Sequence, residues 1–87
     1  MYVILVYDFG ERRVNKMLRL CRRYLNWIQN SVFEGEISEA RLKELMMHCD
    51  KFMDKSEDSM IIFSGPSQVS LDKRIIGKEH SSLDNFL

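Results

Sequence analysis

One acidic residue stands where a side chain can act on a ligand. Asp8 follows an apolar run, Tyr2 to Tyr7, and precedes a segment with helical spacing. The end of a strand that leads into a helix commonly points its side chains into a crevice. Mg²⁺ is often held by one or two carboxylates with water and substrate phosphates. Asp8 is therefore predicted to be one ligand of a metal site that a second copy of the chain would complete. The alternative is that Asp8 only caps or faces the start of the helix.

Basic residues are concentrated in one segment, although the chain as a whole is neutral with 13 bases and 13 acids. Residues 11–24 hold six bases and one acid, a net charge of +5, whereas residues 34–58 carry a net charge of −4. Four of these bases recur at helical spacing and form a basic stripe: Arg12, Lys16, Arg19 and Arg23. Such a stripe can follow a phosphate backbone, and the alternative is a solvated helix face. Arg13 and Arg22 lie beside the stripe and can reach the same ligand.

Changes of hydrophobic period predict the elements that position these residues. Four short apolar runs are strand candidates: Tyr2–Tyr7 and residues 27–30, 32–34 and 60–63. The first of them has no polar alternation, which is typical of a strand buried on both faces. Apolar residues at helical spacing predict helices over residues 14–25 and 42–53, the second after a good N-cap residue, Ser38. Within these elements, several residues are interpreted as core: Tyr7, Phe9, Cys21 and Cys49. Ser31 and Gly35 are predicted places for a bulge or a tight bend.

The order of these elements predicts an α+β fold, a ferredoxin-like βαββαβ two-layer sandwich. A further short strand over residues 74–76 has no place within such a sheet, and an open sheet edge is commonly covered or paired. The sequence therefore predicts a homodimer in which this C-terminal strand pairs across the interface. One domain is expected over residues 1–77, followed by a flexible tail over residues 78–87.

Composition excludes several classes of protein. The 87 residues are 45% hydrophobic and 30% charged, which is typical of one globular domain and not of a disordered chain. No apolar run approaches the length that spans a bilayer, so no membrane partner is expected. The two cysteines form neither a disulfide framework nor a metal motif, which favours a reducing cytoplasm. His48 and His80 have no companion ligands in the sequence and are assigned no role.

Three motifs resemble those of the Cas2 family, the small CRISPR-associated adaptation proteins. Tyr7-Asp8 followed by Arg12-Arg13 and Lys16 resembles the opening motif of the family. Gln29–Gly35 resembles its most recognisable motif, and Asp58–Phe63 resembles the start of its last core strand. The three motifs occur in the expected order over about residues 1–76, and the central one is the most specific.

The resemblance implies a homodimer whose C-terminal strands pair with the partner's sheet, and a magnesium-dependent endonuclease that acts on RNA or DNA. Asp8 is then the catalytic residue and the ligand of Mg²⁺ or Mn²⁺ near the dimer axis. The bases assigned to nucleic-acid binding are Arg12, Arg13, Lys16, Arg19 and Arg23.

Two other functions stay open. The family also bridges dimers of the adaptation integrase, which inserts spacer DNA into the CRISPR array, so a non-catalytic DNA-binding scaffold is the main alternative. Residues 70–87 are then expected to contact the integrase. A ferredoxin-like regulatory module without nucleic acid is the third interpretation, and it requires the likeness to be accidental.

Overall fold

The structure is a computed structural model, described here for residues 1–67 and 74–77. Its elements are β1 (Tyr2–Asp8), α1 (Glu11–Arg22), β2 (Asn26–Gln29), β3 (Val32–Glu36), α2 (Glu39–Asp50) and β4 (Ser59–Gly65). The strands form one antiparallel sheet in the order β2-β3-β1-β4. The predicted ferredoxin-like βαββαβ fold is confirmed.

β1 lies at the centre of the sheet, and its side chains alternate between the two sheet faces. The side chains that point to the helices are buried and belong to the core, namely Val3, Leu5 and Tyr7. The other residues of β1 point to the opposite face of the sheet, which we call the open face: Tyr2, Ile4, Val6 and Asp8. Ile4 and Val6 are only half-buried there. The prediction that β1 is buried on both faces is therefore only partly correct for a single chain, because both helices cover the same face.

Two residues of β4 extend the open face beside β1. Phe63 pairs with Ile4 and Ile61 pairs with Val6, and both β4 side chains are more than half exposed. Apolar side chains of this size are favoured inside a protein or at an interface, because water disfavours their surface. The open face therefore carries an apolar strip that the two helices of the same chain do not cover.

The helices contribute their apolar sides to the core between the sheet and the helix layer. Met17, Leu20 and Cys21 are the buried residues of α1, and Leu45 and Cys49 are those of α2. The predicted N-cap of α2 is confirmed, since the Ser38 side chain accepts a hydrogen bond from the Arg41 backbone N–H at 3.1 Å. The cysteines are core residues, as predicted, and burial raises the pKa of the Cys21 thiol to about 12.

The β2–β3 hairpin turns at Asn30 and Ser31, and Asn30 has a positive φ of 41°. The tight bend expected at Ser31 is therefore present. The register shift lies in β2 between Trp27 and Gln29, not at Gly35. Gly35 instead pairs regularly with Val3, and a Cβ added there would lie 3.4 Å from Leu25 Cδ2. That distance is an ordinary contact, whereas the φ of 157° is a backbone conformation that residues with a side chain rarely adopt, and this explains glycine at the position better than a bulge does.

The C-terminal predictions fall largely beyond what the structure describes. Arg74, Ile75 and Ile76 form no strand in the single chain, and Ile76 is strongly exposed. Their expected pairing needs a second copy and stays a prediction. The tail 78–87 and most of the segment assigned to the integrase lie outside the described residues. In the described part of the chain, neither helix has the length and hydrophobicity to cross a bilayer.

Candidate functional site

Asp8 is the last residue of the central strand, and its side chain is exposed on the open face. It pairs with Ser59, the first residue of β4. Asp8 does not cap α1, because Gly10 is the N-cap residue and no side chain caps that helix. Within residues 1–67 and 74–77, the Asp8 side chain forms no hydrogen bond or ion pair. Its carboxylate is therefore available to a ligand.

The donor set around Asp8 fits a shared metal ion better than a site within one chain. Among the residues that the structure describes, no group of three or more His, Cys, Asp and Glu side chains could hold a metal. A single carboxylate suits Mg²⁺ when water, phosphate oxygens or a second carboxylate supply the remaining ligands. The described residues of one chain therefore do not supply a complete set of magnesium ligands.

Asp58 ties the backbone just after Asp8 to the loop before β4. Its Oδ1 accepts a hydrogen bond from the Gly10 backbone N–H at 2.7 Å, and its Oδ2 accepts one from the Asp54 backbone N–H at 2.9 Å. Arg13 donates through Nε to Oδ2 and through Nη2 to Oδ1, so the pair is bidentate. The β1–α1 junction and the start of β4 are thereby held together next to Asp8.

The electrostatics of this pair follow from its geometry. The Asp58 side chain has no exposed surface, and the Arg13 side chain is 18% exposed. The hydrogen bonds from Arg13 hold the pKa of the Asp58 carboxyl well below its usual range, and the backbone N–H donors add to this effect. The same contact raises the pKa of the Arg13 guanidinium. Because the buried Asp58 carboxylate is charged and both of its oxygens accept hydrogen bonds, it holds the β1–α1 junction in a single conformation.

Sequence analysis missed Asp58 as an organising residue, since residues 54–58 look like a solvated charged loop. The available signal was an acid directly before the apolar run of β4, at the start of the third motif. The same contact explains where Arg13 lies. One residue advances a helix by about 100°, so Arg13 points to the loop before β4, away from the stripe to which Arg12 belongs. Arg13 was assigned to nucleic acid, and its guanidinium is engaged by Asp58.

The basic stripe lies on the helix layer, on the side of the sheet opposite to Asp8. Three of its members line a groove of about 340 Å³ between α1 and α2, and Arg12 lies outside this lining. The lining residues of this interhelical groove are Lys16, Arg19, Leu20, Arg23, His48, Lys51 and Phe52. Sequence analysis missed Lys51 and His48 as neighbours of the stripe, because they follow its last residue, Arg23, by 28 and 25 residues. Helical periodicity does not show which faces of two helices pack together.

Comparison with known proteins gives consistent matches over nearly the whole chain. A family model described as CRISPR associated protein Cas2 matches residues 1–70. The chain is 41% identical to the CRISPR-associated endoribonuclease Cas2 of Dictyoglomus turgidum over 87 residues, which is 100% of both chains. It is 38% identical to the protein of the same name from Methanothermobacter thermautotrophicus, over 99% of this chain and 94% of the relative.

Solved structures agree with these matches. A Cas2 crystal structure superposes with a TM-score of 0.82 at 43% identity, and the match covers 93% of this chain and 91% of that chain. Streptococcus pyogenes Cas2 gives a TM-score of 0.78 at 23% identity, over 88% of this chain and 100% of that chain. At 23% identity, the similarity to Streptococcus pyogenes Cas2 supports the fold alone.

Proposed function

This chain belongs to the Cas2 family of CRISPR-associated proteins, and from that premise we propose that it is a metal-dependent endonuclease whose key residue is Asp8. The observation that carries the proposal is the position of Asp8, an exposed acid at the end of the central strand whose side chain has no partner among the described residues. The relatives are named endoribonucleases, which favours RNA over DNA as the substrate.

A homodimer formed through the open face would complete the site. Ile61 and Phe63 are 56% and 54% exposed on the same face as Asp8. Burying this apolar strip against a second copy is favourable at roughly 25 cal/mol per Å² of apolar surface. In a two-fold interface each residue meets the partner's equivalent surface, so one face would bring two copies of Asp8 towards the same axis.

Each residue then has a defined task. A bound Mg²⁺ or Mn²⁺ ion supplies positive charge that lowers the pKa of a water molecule and polarises a phosphate. Asp8 contributes one carboxylate from each copy. Asp58 and Arg13 keep the backbone beside Asp8 in one position, so little ordering is required when the ligand arrives.

A second function, DNA binding in spacer acquisition together with the integrase, is favoured by the groove between α1 and α2. Four bases line this groove and no acid does. This scaffold role needs neither a metal ion nor Asp8, and one dimer has separate surfaces for both activities. Either activity is proposed for the cytoplasm, in keeping with two cysteines that form no disulfide.

Replacement of Asp8 by Ala separates the two functions. We expect cleavage of labelled single-stranded RNA in Mg²⁺ to fall by at least about 100-fold, because loss of a direct ligand costs at least as much as loss of an outer-shell partner. Integrase-dependent spacer insertion is expected to stay unchanged. The matched control is Asp50→Ala, which removes an exposed carboxylate at the end of α2. Cleavage by Asp8→Ala at the rate of the unmodified protein would contradict the nuclease proposal.

A further inference from the structure

A hydroxyl lies beside Asp8 on the open face. Ser59 is the first residue of β4 and pairs directly with Asp8, the last residue of β1. Residues that face each other in an antiparallel pair have their side chains on the same side of the sheet, with Cβ atoms roughly 4.5–5.5 Å apart. The Ser59 hydroxyl and the Asp8 carboxylate are therefore adjacent. The motif Asp58–Phe63 contains Ser59, but its sequence indicates no task for this residue.

The Ser59 hydroxyl is accessible, and the fold does not use it. Ser59 is exposed, and among the described residues its side chain neither donates nor accepts a hydrogen bond. Two other serines do have structural tasks, since Ser38 caps α2 and the Ser56 hydroxyl donates to Asp54 Oδ1 at 2.6 Å. Strands favour β-branched and aromatic side chains, so strand packing does not account for a serine here either.

The hydrogen bonds of Asp58 fix Ser59 and Asp8 relative to each other. Asp58 directly precedes Ser59, and Gly10 follows Asp8 by two residues. The Gly10 backbone N–H donates to Asp58 Oδ1 at 2.7 Å, and Arg13 binds the same carboxylate through two donors. The end of β1 and the start of β4 are thereby joined both by strand pairing and by a buried side chain. A ligand of both residues would meet them already in place.

We propose that the Ser59 hydroxyl oxygen is a ligand, beside Asp8, of the divalent cation. The inference rests on the metal-dependent nuclease proposed above and adds a residue to its site. Mg²⁺ holds its oxygen ligands in an octahedron at about 2.1 Å, so neighbouring ligand atoms are roughly 3 Å apart. Two side chains whose Cβ atoms are about 5 Å apart can each bring one oxygen to that separation.

The charge of the site explains why a hydroxyl is suited to this position. The Asp8 carboxylates of two copies already balance the double positive charge of the ion. A further carboxylate at residue 59 would make the site negative and would repel a phosphate. The neutral Ser59 oxygen adds a ligand atom without adding charge.

The test measures Mn²⁺ binding to the RNA-free protein by electron paramagnetic resonance, in which the signal of free Mn²⁺ weakens on binding. Ser59→Ala is expected to weaken Mn²⁺ binding by at least about 10-fold, the lower end of the cost of losing an outer-shell partner. Ser59→Thr keeps the hydroxyl and should bind Mn²⁺ as the unmodified chain does. The matched control is Ser64→Ala, an exposed serine of the same strand that pairs with Val3 and so points to the other face.

Ser59→Cys provides a second measurement that a merely structural role would not change. A thiolate is a soft ligand, whereas Mg²⁺ and Mn²⁺ prefer oxygen. If residue 59 contacts the ion, this variant should shift its preference from Mn²⁺ towards Cd²⁺ relative to the unmodified chain. The variant keeps the size of serine, so it decides the question if Ser59→Ala has a lower urea unfolding midpoint.

Equal Mn²⁺ affinities of Ser59→Ala and Ser64→Ala would overturn the inference, and so would an unchanged metal preference of Ser59→Cys. The hydroxyl would then act on the phosphate or not at all. If Asp8→Ala has lost Mn²⁺ binding in that case, the nuclease proposal stands and only the role of Ser59 is refuted. If Asp8→Ala binds Mn²⁺ as the unmodified chain does, or if the unmodified chain binds none, the metal site fails together with Ser59.

Discussion

Asp58 joins three parts of the chain through its two carboxylate oxygens: the β1–α1 junction, α1 and the loop before β4. Sequence reasoning found Asp8, since an acid at the end of an apolar run has a local signature. It did not find Asp58, because the partner that gives this acid its role, Arg13, is 45 residues away. Helical spacing indicates the direction in which Arg13 points, but not what it meets there.

Acid should weaken the fold through Asp58. Its pKa in the folded protein is lowered, so the unfolded chain takes up the proton first as the pH falls. The stabilisation is complete above the ordinary pKa of about 3.9 and is lost progressively at lower pH. We expect urea unfolding to show this loss from roughly pH 4 downwards and to show it still increasing at about pH 2, because the folded pKa lies well below the ordinary one.

Two variants isolate this contribution. Asp58→Asn should be less stable at pH 7 and should show a smaller decrease towards pH 3. Glu57→Gln is the control, since Glu57 is 65% exposed and lies 3.8 Å from the same arginine. An Asp58→Asn protein with the same pH dependence as the unmodified chain would assign the acid sensitivity to other carboxyl groups.

Local sequence patterns predict the helices and strands, but they do not predict how these elements pack against one another. The period of 3.6 residues located α1 and α2, and the apolar run located β1, because one buried face imposes each of these patterns. The bulge in β2 escaped prediction, since register depends on cross-strand packing that the β2 sequence does not contain. The groove between the helices escaped for the same reason: three of its four cations come from the expected stripe, but the contribution of Lys51 depends on how α2 packs beside α1.

Stability of α2 should depend on one face of the helix. Leu45 is fully buried, and Met47 on the same helix is 66% exposed. Leu45→Ala is expected to lower the free energy of unfolding by about 2–5 kcal/mol, because it removes buried apolar contacts and leaves a cavity. Met47→Ala should change it by less than about 0.5 kcal/mol. Urea titration monitored by circular dichroism measures both, and equal effects would contradict the assignment of the α2 core face.

At the scale of the whole molecule, the two layers give the chain two different surfaces. The helix layer is basic in its groove, and the open face has an apolar strip along β1 and β4 with Asp8 at one end and the glutamates of β3 beside it. The sequence assigned Asp8 to catalysis and the bases to nucleic-acid binding. It could not show that they lie on opposite sides of the sheet, because that separation arises only when the strands alternate and both helices pack on the same face.

The proposed dimer should depend on the open face. Phe63→Glu places a charge in the apolar strip, where burial without a partner is strongly unfavourable. We expect the unmodified chain to elute as a dimer and Phe63→Glu as a monomer in size-exclusion chromatography with light scattering. Met47→Glu, an equally exposed apolar position on α2, is the control. A dimeric Phe63→Glu protein would place the contact between copies elsewhere.

The position of Asp8 and the interhelical groove on opposite sides of one sheet has an evolutionary consequence. A lineage can lose Asp8 without altering the polyanion binding proposed for the groove. It can also change that binding without disturbing the proposed hydrolysis. Substitutions on either surface are then tolerated as long as the activity of the other surface is retained. A scaffold that descends from an enzyme, or the reverse, therefore requires no change of architecture.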